Sequence, residues 1–216
     1  MSRSPGNILV LEDHEPTSKR LALCVKSNGL IPRVYLSSRT CHERLENWGE
    51  EPHPLLAIID LDMRLAPENQ RTPTSFDVLR LLAKSFPSVI VLVYSGELDS
   101  DHNRAAVWKA HPRALLQDKG NIDELQERID ALLSKEVGSF RLYHGLVMHV
   151  PTSEYFPHEV GARIMLAHPG VIRIPGQAEA RAVQRFRKWV ISRDPQVTVI
   201  NQSKHAYCLA TIDKES

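Results

Sequence analysis

Leu55-Leu56-Ala57-Ile58-Ile59-Asp60-Leu61-Asp62-Met63 sets five apolar residues in front of a carboxylate. An apolar run without alternation fits a strand buried on both faces, as in a parallel sheet covered by helices. Such a strand ends by delivering Asp60 to the rim of the sheet. In open α/β sheets, ligands and chemistry gather at the carboxyl ends of the strands. Partners of Asp60 are therefore expected at the ends of the neighbouring strands.

Upstream, Asn7-Ile8-Leu9-Val10-Leu11 is a first short apolar run, ending in Glu12-Asp13. Pro16 suits the first turn of a helix that Asn28-Gly29 closes. Residues 32–36 read as a second strand and 38–48 as a second helix. Downstream, 64–74 carries Pro67 and Pro73 and reads as a long loop. A helix over 75–86 follows, and Pro87 ends it. Strand 88–95 ends in the Ser95 hydroxyl, and 99–111 has a helical pattern. A short strand over 113–116 leads to Gln117-Asp118-Lys119-Gly120. Ile122, Leu125, Ile129, Leu132 and Leu133 then recur at helical spacing through Ser134. Five strands alternating with five helices predict an α/β fold: a five-stranded, doubly wound parallel sheet of flavodoxin-like type.

The composition is that of a folded, soluble chain: 42% apolar, 25% charged, net charge +1 over 216 residues. The charge is unevenly placed. Residues 1–137 hold 17 Lys and Arg against 20 Asp and Glu, whereas 138–216 hold 10 against 6. That tilts the C-terminal part towards an anionic partner. Cys24, Cys41 and Cys208 are odd in number and far apart, which argues for reduced cytoplasmic thiols and against a disulfide framework or a zinc site. No apolar run approaches the roughly 20 residues of a membrane span, and the first residues do not read as a signal peptide.

Glu12, Asp13, Asp60, Ser95 and Lys119 each follow the C-terminal end of a different strand or share one, so a parallel sheet brings them to one edge. Any one of them alone is commonly a solvated loop residue; the set in register points to a site. Converging carboxylates repel unless a cation joins them, and hard oxygen ligands suit Mg²⁺. Asp60 can then act as a nucleophile towards phosphorus. The cation, the Ser95 hydroxyl and the Lys119 ammonium would neutralise the phosphoryl oxygens.

Residues 7–134 resemble the receiver domain of bacterial two-component response regulators. The resemblance rests on Ile8-Leu9-Val10-Leu11-Glu12-Asp13-His14-Glu15, Ile59-Asp60-Leu61-Asp62-Met63, Tyr94-Ser95-Gly96 and Asp118-Lys119-Gly120. It implies Asp60 as phosphoacceptor, Ser95 as switch hydroxyl and Lys119 as the phosphate-pairing lysine. It also implies Mg²⁺ held by Glu12, Asp13, Asp60 and the Asp62 backbone carbonyl, with a sensor histidine kinase as donor. The chain departs from that pattern at Glu12 where Asp is commoner, at Arg64 where proline is usual, in the length of the 64–74 loop, at Leu116 where an aromatic is usual, and at Gly120. An alternative alignment puts Gln117 in the lysine's place. Asp60-Leu61-Asp62 also resembles the first motif of haloacid-dehalogenase-type phosphatases. That family needs a later strand ending in an acid pair, and here a helix follows Lys119.

After a linker over 135–139, the remaining residues are enough for one small α+β domain. Strands are expected over 140–143 and 145–150, a helix from about 154 to 167, an extended stretch at 171–174, and a helix over 178–193. On that last helix Val183, Phe186 and Val190 share one face, Arg181, Arg185 and Lys188 the opposite one, with Arg187 at the flank. A hairpin of 197–201 and 206–210 follows, with Lys204 at its tip. His168-Pro169-Gly170-Val171, Arg185-Phe186-Arg187-Lys188-Trp189 and the hairpin resemble a winged-helix DNA-binding domain. The resemblance implies the 178–193 helix in the major groove and Lys204 on the wing, although the chain is too short for a middle helix. The expectation is thus a cytoplasmic, dimeric response regulator with a receiver domain over 1–134 and a divergent winged-helix-like output domain over 140–216. It would bind double-stranded DNA and act as a switch, not an enzyme. The alternative makes the C-terminal part a protein-interaction module.

Overall fold

The computed structural model describes residues 6–49, 51–62, 73–96, 98, 100–120, 122–174, 176–203 and 205–212. The chain divides into two compact units, Met1–Asp130 and Ala131–Ser216.

In the first unit, β1 (Asn7–Leu11), β2 (Ile31–Tyr35), β3 (Leu56–Asp60), β4 (Ile90–Ser95) and β5 (Leu115–Asp118) alternate with α1 (Glu15–Ser27), α2 (Ser38–Glu46), α3 (Ser75–Ser85), α4 (Asp101–Ala110) and α5 (Ile122–Leu133). The sheet order is β2-β1-β3-β4-β5, with every pairing parallel. This is the flavodoxin-like order expected from the alternation of elements. β1 and β3 are buried throughout and β4 nearly so, whereas β2 and β5, at the edges, are partly exposed.

Alternation along the central strands sends successive side chains to opposite faces. Leu9, Leu11, Ala57, Ile59, Val91 and Val93 form one core with Cys41 and Leu45 of α2, Val78, Leu79 and Leu82 of α3, and Val107 of α4. Each fully buried aliphatic side chain in it contributes on the order of 2 kcal/mol by leaving water. The other face carries α1 and α5, which are tied together by Arg20 to Asp123 and by Asp130, whose Oδ1 accepts from Asn28 Nδ2 at 2.6 Å. The start of α3 is fixed by a capping box in which Thr74 and Asp77 satisfy each other's backbone N–H groups. Most of the expected 64–74 loop, including Arg64, lies outside the described residues.

The second unit begins with an antiparallel sheet, β6-β7-β8-β9, made of Glu136–Val137, Phe140–Tyr143, Leu146–His149 and Glu154–Tyr155. The stretch expected as a linker therefore carries a strand, and Val137 pairs with Phe140. His144 and Gly145 form a two-residue turn with φ of 49° and 73°, the twist that matches a tight hairpin. α6 (Glu159–Ala167) is shorter than the helix expected from 154. Pro157 lacks an N–H and forces Phe156 out of helical geometry, so residues 154–155 pair with β8 as β9 and His158 caps the helix by accepting from Val160 N at 3.2 Å. β10 (Ile172–Arg173), α7 (Gln177–Arg193), β11 (Val197–Ser203) and β12 (Ala206–Thr211) complete the unit, with sheet order β10-β12-β11. Among the described residues between α6 and α7, β10 is the sole regular element.

Phe186 of α7 packs tilted against Phe156, with centroids 4.9 Å apart, and Trp189 lies 5.3 Å from Phe140. These rings join α7 to the first sheet of this unit. Among the described residues, no helix is long and apolar enough to cross a membrane.

Candidate functional site

Parallel register assembles the site. Leu11 stands opposite Ile59, Asp60 opposite Tyr94, and Ser95 opposite Asp118. Glu12, one residue beyond Leu11, is thereby level with Asp60. Lys119, one beyond Asp118, is held by its backbone N–H to Ser95 O at 3.1 Å. Glu12, Asp60 and Ser95 are completely buried.

Asp60 is gripped from two sides. Its Oδ2 accepts from Lys119 Nζ at 2.6 Å and its Oδ1 from the backbone N–H of Asp62 at 3.0 Å. Burial pushes its pKa up to about 6, against the pull of Lys119 and the Asp62 N–H, while the charge of Glu12 adds to the rise. Burial by itself would lower the Lys119 pKa. The hydrogen bond to Asp60 and the charges of Asp60, Glu12 and Asp62 outweigh that, and the ammonium stays charged. The Ser75 hydroxyl, at the start of α3, donates to Asp60 O at 2.8 Å and anchors the strand end.

Glu12 accepts at Oε1 from the His14 backbone N–H at 2.8 Å and at Oε2 from the Tyr94 phenol. Burial, the Glu12 bond, and the charges of Glu12, Asp60 and Asp13 all push the phenol's pKa upward, so Tyr94 remains a neutral donor. Ligand oxygens of Glu12, Asp13 and Asp60 all lie within 4.8 Å of one another. Three convergent hard oxygens, two of them from fully buried carboxylates, fit a small divalent cation such as Mg²⁺.

All five strand-end residues singled out in the sequence thus come together. Gln117, the alternative to Lys119, accepts from Arg128 Nη1 at 2.6 Å instead. β5 closes the sheet, and Lys119 is followed by α5. Among the described residues, no further strand of this sheet offers the acid pair that a haloacid-dehalogenase-type site needs.

Two contributions to the site are not legible in the sequence. Asp62, expected only through its backbone carbonyl, uses its side chain: Oδ1 accepts from Ser95 Oγ at 2.6 Å and Oδ2 from Gly96 N at 2.8 Å, with Lys119 Nζ 3.9 Å from Oδ2. Tyr94 reads in sequence as one more apolar residue of β4. Its hydroxyl, which needs a partner once buried, was the available signal.

On α7, Ala182, Val183, Phe186 and Val190 are buried, while Arg181, Arg185, Arg187 and Lys188 are exposed. The basic and apolar faces fall where the helical spacing puts them. Lys204 lies outside the described residues.

No family model and no curated protein matches the chain. Its structural neighbours are response regulator receiver domains. The CheY-like receiver domain protein of Methanospirillum hungatei JF-1 is 19% identical, with 58% of this chain and 91% of that one covered and a TM-score of 0.47. TrrA of Thermotoga maritima, in complex with Mg²⁺ and beryllium fluoride, is 18% identical over 59% of this chain and 99% of its own, with a TM-score of 0.43. The likeness to DrrB, an OmpR/PhoB homologue from Thermotoga maritima, extends over 95% of this chain and 99% of that one, at 13% identity and a TM-score of 0.46.

Proposed function

We propose that the protein is a response regulator of a two-component system, with a receiver domain over 1–134 and an output domain over 140–216. One observation carries this reading: the Lys119 ammonium sits 2.6 Å from a buried Asp60 carboxylate, beside Glu12 and Asp13, at the carboxyl edge of a parallel sheet. An oxygen of Asp60 attacks the phosphorus of a phosphohistidine on a sensor kinase. The P–N bond breaks, the imidazole nitrogen keeps the electron pair, and Asp60 becomes an acyl phosphate. Lys119 balances the charge on the phosphoryl oxygens, and the Ser95 hydroxyl is within the same cluster to donate to them. Glu12, Asp13, Asp60 and the Asp62 backbone carbonyl would hold Mg²⁺. When bound, the cation supplies charge neutralisation between Asp60 and the incoming group.

The output reading is transcriptional control, with the exposed basic face of α7 set against DNA phosphates and the Lys204 turn as a wing. Phosphorylation would shift a dimer face and with it the pairing of the two output domains. The protein acts in the cytoplasm as a switch. A second reading, in which the output domain engages a protein, is favoured by one feature: α7 follows α6 with only β10 as regular structure among the described residues between them.

The test is direct. With Mg²⁺ and a small phosphodonor such as acetyl phosphate, the full chain should gain one phosphoryl group by mass spectrometry, labile to base and to hydroxylamine, and Asp60→Asn should gain none. An unmodified wild type, or an equally modified Asp60→Asn, removes the phosphoacceptor reading.

A further inference from the structure

Three donors converge on the rim where Asp60 stands: the Lys119 ammonium, 2.6 Å from Asp60 Oδ2, and the Ser95 hydroxyl and Gly96 backbone N–H, which follow Tyr94, the residue paired with Asp60. A phosphoryl group brings three acceptor oxygens and close to two negative charges. Two of these donors are already committed. Asp62 takes the Ser95 hydroxyl at 2.6 Å and the Gly96 N–H at 2.8 Å, and its Oδ2 lies 3.9 Å from Lys119 Nζ. One carboxylate thus spans the donors that a phosphoryl group would use. Its backbone N–H is itself bonded to Asp60 Oδ1, so the main chain of Asp62 is held beside the acceptor.

We propose that the Asp62 carboxylate is an internal occupant of the phosphoryl pocket, a competing anion that an incoming phosphoryl group must displace. The proposal rests on reading Asp60 as the phosphoacceptor. Displacement is feasible because Asp62, unlike Asp60, is an exposed residue and can turn its charge out to water. It is also required. Two anions in one set of donors repel, and neither can keep a full complement of hydrogen bonds. In the resting protein Ser95 and Gly96 therefore already hold an anion. The pocket responds only to a donor strong enough to replace it. Asp62 sets the threshold of the switch and is a specificity-determining residue, not part of the reacting set.

Beryllium fluoride, which assembles on a carboxylate as a phosphoryl mimic, tests this when titrated with Mg²⁺ into the full chain and followed by ¹⁹F NMR. Asp62→Ala should bind it about tenfold more tightly than wild type, the size expected from freeing a charge-assisted hydrogen bond. Asp62→Asn should fall between the two, and Asp60→Asn should not bind. Circular dichroism spectra matching wild type show that the variants fold. Equal or weaker binding by Asp62→Ala overturns the internal-occupant proposal and leaves the phosphoacceptor reading standing. Binding by neither wild type nor Asp62→Ala, or binding that survives Asp60→Asn, overturns both.

Discussion

The Tyr94 phenol donates to the Glu12 carboxylate, and both side chains are fully buried. A buried carboxylate without donors is costly, and the phenol donates to Glu12 inside the sheet edge, as does the His14 N–H. Tyr94→Phe keeps the ring and removes only the donor. It should lower unfolding free energy by about 1–3 kcal/mol, measured from urea transitions. A change within a few tenths of a kcal/mol would mean that the phenol contributes nothing to holding Glu12.

His111 caps the C-terminal end of α4 with its ring buried at 2% exposure, and among the described residues neither ring nitrogen has a hydrogen-bond partner. Burial, helped by the charge of Arg113, pushes its pKa down to about 4. The unfolded chain has the ordinary value near 6.5. Between these values the unfolded state binds more protons than the native one. The stabilisation is therefore complete above about pH 6.5 and is lost as the pH falls towards 4. The loss attributable to His111 is on the order of 3 kcal/mol. His111→Leu should flatten the dependence, seen by comparing urea midpoints at neutral and mildly acidic pH in both proteins. Parallel pH slopes would assign the acid sensitivity elsewhere.

The exposed side chains of α7 test the output reading. If Arg181, Arg185 and Lys188 contact phosphates, replacing all three with Ala should reduce the slope of log affinity against log salt by about 0.9 per lost contact. Fluorescence anisotropy with a duplex of mixed sequence reads this. The fold should be unaffected, since α7 packs through Ala182, Val183, Phe186 and Val190. Failure of the wild type to bind any duplex at low salt would favour the protein-interaction reading.

Gly161 on α6 faces the aromatic cluster. A Cβ there would come within 2.9 Å of Phe186 Cε2 and 3.1 Å of Phe156 Cδ1. Alanine is the better helix former by about 1 kcal/mol, yet overpacking a filled core costs about 1–3 kcal/mol. Gly161→Ala should therefore destabilise the second unit, visible as an earlier thermal transition with the first unit unchanged. A later transition would show that the rings yield freely.

The first unit was readable because its signals are local and mutually consistent. The apolar runs at 7–11 and 56–60 have strand length, the intervening helices carry caps and breakers, and parallel pairing leaves few ways to order five strands. The site was readable for the same reason, since Glu12, Asp60, Ser95 and Lys119 are each tied to a strand end. What escaped was orientation. In a strand buried on both faces, nothing in the local pattern says that Tyr94 reaches Glu12, or that Asp62 turns its carboxylate to Ser95. The second unit was harder for a different reason. Glu136–Val137 and Glu154–Tyr155 are two-residue strands that exist only through pairing with β7 and β8, and so short a segment has no periodicity to detect.

β1 pairs with β2 on one side and β3 on the other, and Glu12 and Asp13 follow it directly. Among the described residues, the element that leads into the acid pair is thus the only bridge between β2 and the rest of the sheet. Deleting it would leave β2 with no neighbour and expose one whole edge of β3. The acidic residues consequently cannot be lost by trimming or exchanging this segment without losing the architecture as well. They can disappear only one substitution at a time. A sibling chain that has given up the chemistry should therefore keep the strand and change the two residues after it.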